Sequence, residues 1–156
     1  MEFTILAVGK LRSYYREACD EYARRLRRYG TVQEREIREG RGGTSTVVDR
    51  DEARRLIEKL PERAILVALT REGRSWSSSD LARRIEGWML ESRPLTFAIG
   101  GSTGLSQDFL SKADHQWSLG PLTLPHELAR VVVYEQLYRA CTILRGEPYH
   151  KGRSER

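Results

Sequence analysis

The sequence predicts an α/β fold with a mainly parallel sheet, and three observations carry that prediction. The runs "FTILAV" (3–8), "AILVALT" (64–70) and "PLTFAIGG" (94–101) are apolar without strict alternation, as in strands covered on both faces. Between them lie segments whose apolar residues recur at helical spacing. The two kinds of segment alternate along the chain, which is the order that builds a parallel sheet with crossover helices.

Each element has its own signal. After the strand at 3–8 a helix is expected over about 13–28, with Tyr15, Ala18, Cys19, Tyr22 and Leu26 on one stripe. "VQEREI" (32–37) alternates like a half-exposed strand, and the glycine-rich "REGRGGTST" (38–46) reads as a mobile loop. A second helix is expected over 49–60, burying Ala53, Leu56, Ile57 and Leu60, with Pro61 ending it. Ser77 and Asp80 form a capping signal for a third helix that buries Leu81, Ile85, Trp88 and Met89. A short helix near 106–112 precedes a strand, "HQWSLG", and a last helix runs over 126–145.

The chain has 156 residues, the size of one domain with one good core, and no repeat or linker divides 1–156. No window approaches the length of a membrane span, and the N-terminus lacks the pattern of a signal peptide. Cys19 and Cys141 fall on apolar helical faces and read as small core residues, which fits a cytoplasmic protein. The formal net charge is +5. Seven Lys and Arg against three Asp and Glu fall within residues 10–28, nearly the whole excess. The five arginines from Arg16 to Arg28 lie off the apolar stripe, as either a solvated face or a rail for RNA phosphates.

"FAIGGSTGLS" (97–106) carries a strand into glycines and then into a helix start. It is not a phosphate loop, because the G-x-x-x-x-G-K-[S/T] lysine is missing. Nor is it a dinucleotide fingerprint, which needs G-x-G-x-x-G in the first strand–helix turn. In "SLGPLTLPHELARVVVYEQLYRA" (118–140), Gly120, Pro121 and Pro125 make a shaped loop whose backbone groups need partners. A flat heterocycle such as adenine can supply them. The helix behind this loop is apolar on more than one face, which asks either for a second copy of the chain or for a central place in the core. The three histidines, His115, His126 and His150, have no metal-ligand spacing, and no metal is expected.

"LAVGKL", "FAIGGSTGLS", "WSLGPLTLPHELARVVVYEQLYRA" and the ending "GEPYHKG" together resemble the RlmH-type SPOUT methyltransferases, in order, in spacing and over essentially the whole chain. The resemblance implies an α/β fold with a C-terminal trefoil knot, a homodimer, S-adenosylmethionine as methyl donor, and a 23S ribosomal RNA target. That target is N3 of a pseudouridine in the helix 69 region, methylated on assembled ribosomes. It also implies that Gly100 and the segment Leu119, Gly120, Pro121, Leu122, Thr123 and Leu124 wrap the cofactor, with Leu69 as a third wall. The leucines offer apolar surface, and the missing side chain at Gly100 lets backbone approach.

On the acceptor side the candidates are Arg139, Tyr149 and His150, with His126 and Glu135 behind them. Tyr149 can stack on a base, and His150 can accept a proton or hydrogen-bond a base carbonyl. The tail is expected to reach across a dimer into the partner's site. Thr70 stands where many relatives have an acid, and the chain runs on through "GRSER" beyond their usual end. The alternatives are another SPOUT enzyme acting on tRNA or a ribose hydroxyl, and a ribosome-binding protein without catalysis.

Overall fold

The computed structural model describes residues 1–40 and 42–151. Five parallel strands form one sheet: β1 (Glu2–Val8), β2 (Thr31–Ile37), β3 (Ile65–Ser75), β4 (Leu95–Ile99) and β5 (His115–Ser118). Their order in space is β2-β1-β4-β3-β5. Phe3, Ile5 and Ala7 of β1 face one side and pack with the helices α1 (Ser13–Leu26), α3 (Ser78–Met89) and α5 (His126–Leu144). Leu6 and Val8 face the other, against α2 (Ser45–Lys59) and the short α4 (Gln107–Leu110). Both faces are covered, which is why the strand sequences show no polar alternation.

Three elements depart from the sequence reading. α2 starts at Ser45, four residues before the expected 49, because the Thr44 hydroxyl caps it by accepting the Val47 N–H at 3.3 Å. Its buried face holds Glu52, Ala53 and Leu56, whereas Ile57 is exposed. Met89 also points to solvent, since α3 buries Leu81, Ala82, Ile85 and Trp88 and ends there. β3 runs five residues past Thr70, out to Ser75, and pairs again with β5 after a shift in register between Leu69 and Arg74. Gly73 makes that second pairing possible. A Cβ there would lie 2.7 Å from the Gln116 carbonyl carbon. The extra residues 152–156 at the C-terminus lie outside the described residues.

α5 is less uniformly apolar than its sequence suggests. It lies between α1 and α3, which cover its flanks. On its buried side sit Glu127 and a fully buried Arg130. The Arg130 guanidinium is paired with Glu36 of β2 and donates to the Gly9 carbonyl at 2.9 Å. Glu34, two residues earlier and therefore on the same face, accepts from Tyr134 at 2.9 Å and pairs with Arg16 at 2.6 Å. The Glu127 carboxylate accepts the Arg12 N–H at 2.7 Å. Three helical and loop segments are thereby tied to the ends of β1 and β2.

The arginines of α1 are largely engaged within the chain. Arg24 and Arg25 both pair with Glu21, at 2.7 and 2.9 Å, and Arg28 lies 3.9 Å from Glu147. Of the two readings of this face, the structure favours self-paired surface charge. Cys19 and Cys141 are buried in the core, and burial pushes both thiols up to about 12.

Removing one partner of a buried ion pair strands the other in a poor dielectric. Arg130→Ala is therefore expected to lower unfolding stability by about 3 kcal/mol, at the low end of that range because Glu36 keeps some water. Arg24→Ala, at an exposed pair, should leave the urea midpoint in place; equal midpoints for the two variants would contradict the anchoring role of Arg130.

Candidate functional site

At the C-terminal ends of the parallel strands, where ligands bind in open α/β sheets, β4 leads into a tight glycine turn. Gly101 and Gly104 pair across it, with the Gly104 N–H donating to the Gly101 carbonyl at 3.1 Å. Gly104 has φ +77°, a conformation that suits a residue without Cβ. A Cβ on Gly100 would sit 2.5 Å from the carbonyl carbon of Gly104. From behind, the Glu39 carboxylate accepts the Ser102 N–H at 3.1 Å and fixes the turn to the end of β2. Ser106 then caps α4.

Opposite this turn runs the segment between β5 and α5. Gly120 has φ +117°, and its N–H donates to the Ser118 hydroxyl at 3.1 Å. The segment and the glycine turn enclose a cleft of about 480 Å³, the size of a small-molecule site. Leu69, Gly100, Leu119, Gly120, Leu122, Thr123 and Leu124 all line it. Pro121 does not; its place is to bend the segment around the cleft. Leu122 is 75 % exposed, so the cleft has apolar surface open to a ligand.

The structure adds walls that the sequence reading did not assign. The extension of β3 contributes Thr70, Arg71 and Glu72, and the start of α5 contributes His126 and Ala129. Thr70 donates its hydroxyl proton to Glu72 at 2.7 Å, which holds that carboxyl below its usual range. A carboxylate thus stands at this wall although position 70 itself is not acidic. The sequence reading ended this strand with the apolar run at Thr70, and the polar "REGRS" continues it. His126 approaches the β1–α1 turn, where a Cβ on Gly9 would lie 3.4 Å from its Nε2. Among the described residues no group of three or more His, Cys, Asp or Glu side chains is placed to hold a metal ion.

Arg139, Tyr149 and His150 come together, but away from the cleft. Glu135 is their centre: it accepts from Arg139 at 2.6 Å and from the Tyr149 hydroxyl at 3.0 Å. The Arg139 guanidinium also lies over the Tyr149 ring, 4.7 Å from its centroid. Its Nη1 is 3.2 Å from His150 Nδ1. A guanidinium only donates, so Nδ1 accepts, and the neutral His150 ring carries its proton on Nε2. The ring is therefore set to donate from Nε2. None of these residues lines the cleft. Thirteen helical residues separate His126 from Arg139, which is about 20 Å along α5.

A family model described as "Predicted SPOUT methyltransferase" matches residues 1–150. The chain is 49 % identical over 156 residues to the ribosomal RNA large subunit methyltransferase H of Rubrobacter xylanophilus, covering 94 % of this chain and 96 % of that one. It is 45 % identical over 153 residues to the protein of the same name from an Anaeromyxobacter species, covering 97 % and 100 %. Among solved structures, a probable methylase family protein from Haemophilus influenzae superposes with a TM-score of 0.57 at 13 % identity, covering 96 % of this chain and 70 % of that one. The SpoU methyltransferase AviRb from Streptomyces viridochromogenes, in complex with AdoMet, superposes with a TM-score of 0.50 at 16 % identity, covering 93 % and 61 %. The two superpositions establish a shared fold.

Burial, then the hydrogen bond to Glu135, hold the Tyr149 phenol above its ordinary range. Glu135→Gln removes the negative charge beside it, so less work is needed to form phenolate, and its ionisation should move to lower pH. Near-ultraviolet titration of the variant against a Tyr149→Phe control is expected to show one tyrosine ionising earlier; superimposable curves would mean that Glu135 does not set the tail.

Proposed function

The chain belongs to the SPOUT methyltransferase family, and we propose that it methylates large-subunit ribosomal RNA, with S-adenosylmethionine as donor and N3 of a pseudouridine in the helix 69 region of 23S RNA as acceptor. The observation that carries this reading is the convergence of the glycine turn, the 119–124 segment and Leu69 on one cleft. The relatives' names supply the substrate class. We read 1–156 as one domain, with the trefoil knot expected of the family formed around the cleft, acting in the cytoplasm on assembled ribosomes.

The cleft fits the donor. Leu69, Leu119, Leu122 and Leu124 present apolar surface for an adenine face, and the backbone of 119–124 offers donors and acceptors to its edge. S-adenosylmethionine, when bound, supplies an activated methyl on a positively charged sulfonium. The protein's share of the work is alignment and acceptor activation. N3 of the base must lose its proton to solvent, which leaves negative charge on the neighbouring carbonyl oxygens. The His150 Nε2–H is a donor suited to those oxygens, Arg139 sets that ring through Nδ1, and Tyr149 offers a ring for the base to stack on.

These donors and the cleft lie at opposite ends of α5, and a homodimer resolves the separation. Leu128, Val132, Glu135 and Arg139 form the outer stripe of α5, starting beside the cleft and ending at the tail cluster. A two-fold axis through the middle of that stripe exchanges its ends. It sets the tail of one chain at the cleft of the other.

The test is transfer of labelled methyl from S-adenosylmethionine, offered separately to ribosomes, free 23S RNA and tRNA that lack the modification. Label on one pseudouridine of the large-subunit RNA is expected; label on tRNA alone would overturn the acceptor. His150→Ala should lower the rate by about 10²–10⁴-fold with donor affinity unchanged. Gly100→Ala, whose Cβ has no room, should weaken donor binding by at least about tenfold, measured by calorimetry. Equal loss of binding and rate in His150→Ala would place the tail in the donor site instead.

A further inference from the structure

A second cleft of about 340 Å³ adjoins the first, and Glu72 lines both. Its walls are the extension of β3, the start of β5 and the outer side of α3. Arg74 and Arg84 project into it, and Arg71 lies one step back at the wall of the first cleft. Among the described residues none of these three arginines has a carboxylate within ion-pair distance, in contrast to Arg16, Arg24 and Arg25 of α1. The two acids of the second cleft keep their charge but are held by other donors. Asp114 accepts the Leu66 N–H at 2.8 Å, and Glu72 accepts from Thr70. Burial lowers the pKa of His115, which keeps that ring neutral. Positive charge in the cleft therefore resides on two guanidiniums.

One of them is held in place by a neutral partner. Arg84 lies over the Trp76 ring, 4.4 Å from its centroid, and Trp76 also stacks on Trp117 at 5.6 Å with 14° between the planes. A guanidinium fixed by a ring keeps all its N–H donors for another ligand, whereas one fixed by a carboxylate has used them. Trp117 also lines the first cleft, so the stack is the partition between the two.

We infer that this second cleft is a phosphodiester subsite, in which Arg74 and Arg84 grip the backbone of the RNA strand whose base is presented to the first cleft. The inference rests on the methyltransferase reading. It assigns RNA contact to the β3 extension and α3 rather than to the arginine-rich face of α1. Anchoring the backbone beside the donor cleft fixes the register of the strand without reading its sequence.

Each phosphate contact contributes to the salt dependence of binding, about 0.7 to 0.9 in the slope of log K against log salt. The Arg74→Gln, Arg84→Gln double variant should reduce the slope for a helix 69 RNA fragment by about 1.4 to 1.8 and weaken binding at low salt. Donor binding should be unchanged, which also reports that the variant is folded. Arg84→Lys should recover most of the slope but not all of the affinity, since charge returns without the fork. Arg24→Gln with Arg25→Gln should leave the slope as in the wild type.

A wild-type protein that methylates the RNA, with an unchanged slope in the Arg74, Arg84 variant, overturns the subsite alone. A slope lost only in the Arg24, Arg25 variant returns RNA contact to α1 and does the same. A wild-type protein that binds donor but neither binds nor methylates RNA overturns both readings. Inorganic phosphate is the last arm: if it quenches tryptophan fluorescence saturably in the wild type but not in the double variant, and RNA does not compete, the cleft holds free phosphate and the inference fails.

Discussion

A single buried cation sets the position of α5, and the position of α5 sets the cleft. Arg130 is fully buried, yet it reaches Glu36 on β2 and the carbonyl of Gly9 at the end of β1. Apolar contact alone would let a helix with Val131, Val132 and Val133 in succession rotate or slide with little penalty, because one branched side chain replaces another. A buried charge has no such freedom, since any register that unpairs it is strongly unfavourable. Glu127, three residues earlier, is fixed in the same way by the Arg12 N–H. The N-terminus of α5 is thereby held, and the 119–124 segment that precedes it has one place to run, across the mouth of the strands.

That constraint was hidden in the sequence for a physical reason. "HELARVVVYEQLYRA" shows periodic apolar residues, and an arginine within them reads as a solvated position. Its partners lie almost a hundred residues away, on an edge strand whose alternation "VQEREI" explains Glu34 and Glu36 equally well as surface residues. The apolar strands and the glycine turn were legible because both are local: burial on two faces shows in one run of residues, and a tight turn shows in its glycines. β3 beyond Leu69 was not legible, since its pairing with β5 is non-local and its residues are polar. The residues that the resemblance assigns to the cofactor all line the first cleft except Pro121, which lies within the same segment. The second cleft had no motif at all.

The chemistry is divided along α5. One end presents backbone and leucines, which suit a neutral flat ring; the other presents Arg139, Tyr149 and His150 gathered on Glu135. A single chain keeps them about 20 Å apart. This separation is useful. Held on Glu135 at the far end, the cluster is ordered by its own contacts, so in the proposed role less side-chain freedom remains to be lost on binding.

The same logic separates the two sets of arginines. On α1, Arg24 and Arg25 share the Glu21 carboxylate, Arg24 through two N–H groups and Arg25 through one, so part of their charge is already offset. An RNA phosphate arriving there must first displace Glu21, and the exchange of one oxyanion for another gains little. At the second cleft Arg84 rests on Trp76, which restricts its motion without neutralising it. A phosphate arriving there meets a fixed fork with no ion-pair partner to displace. Composition places nearly all the excess charge of the chain on residues 10–28, yet in the proposed subsite the capacity to bind follows from the donors that Arg74 and Arg84 keep unpaired.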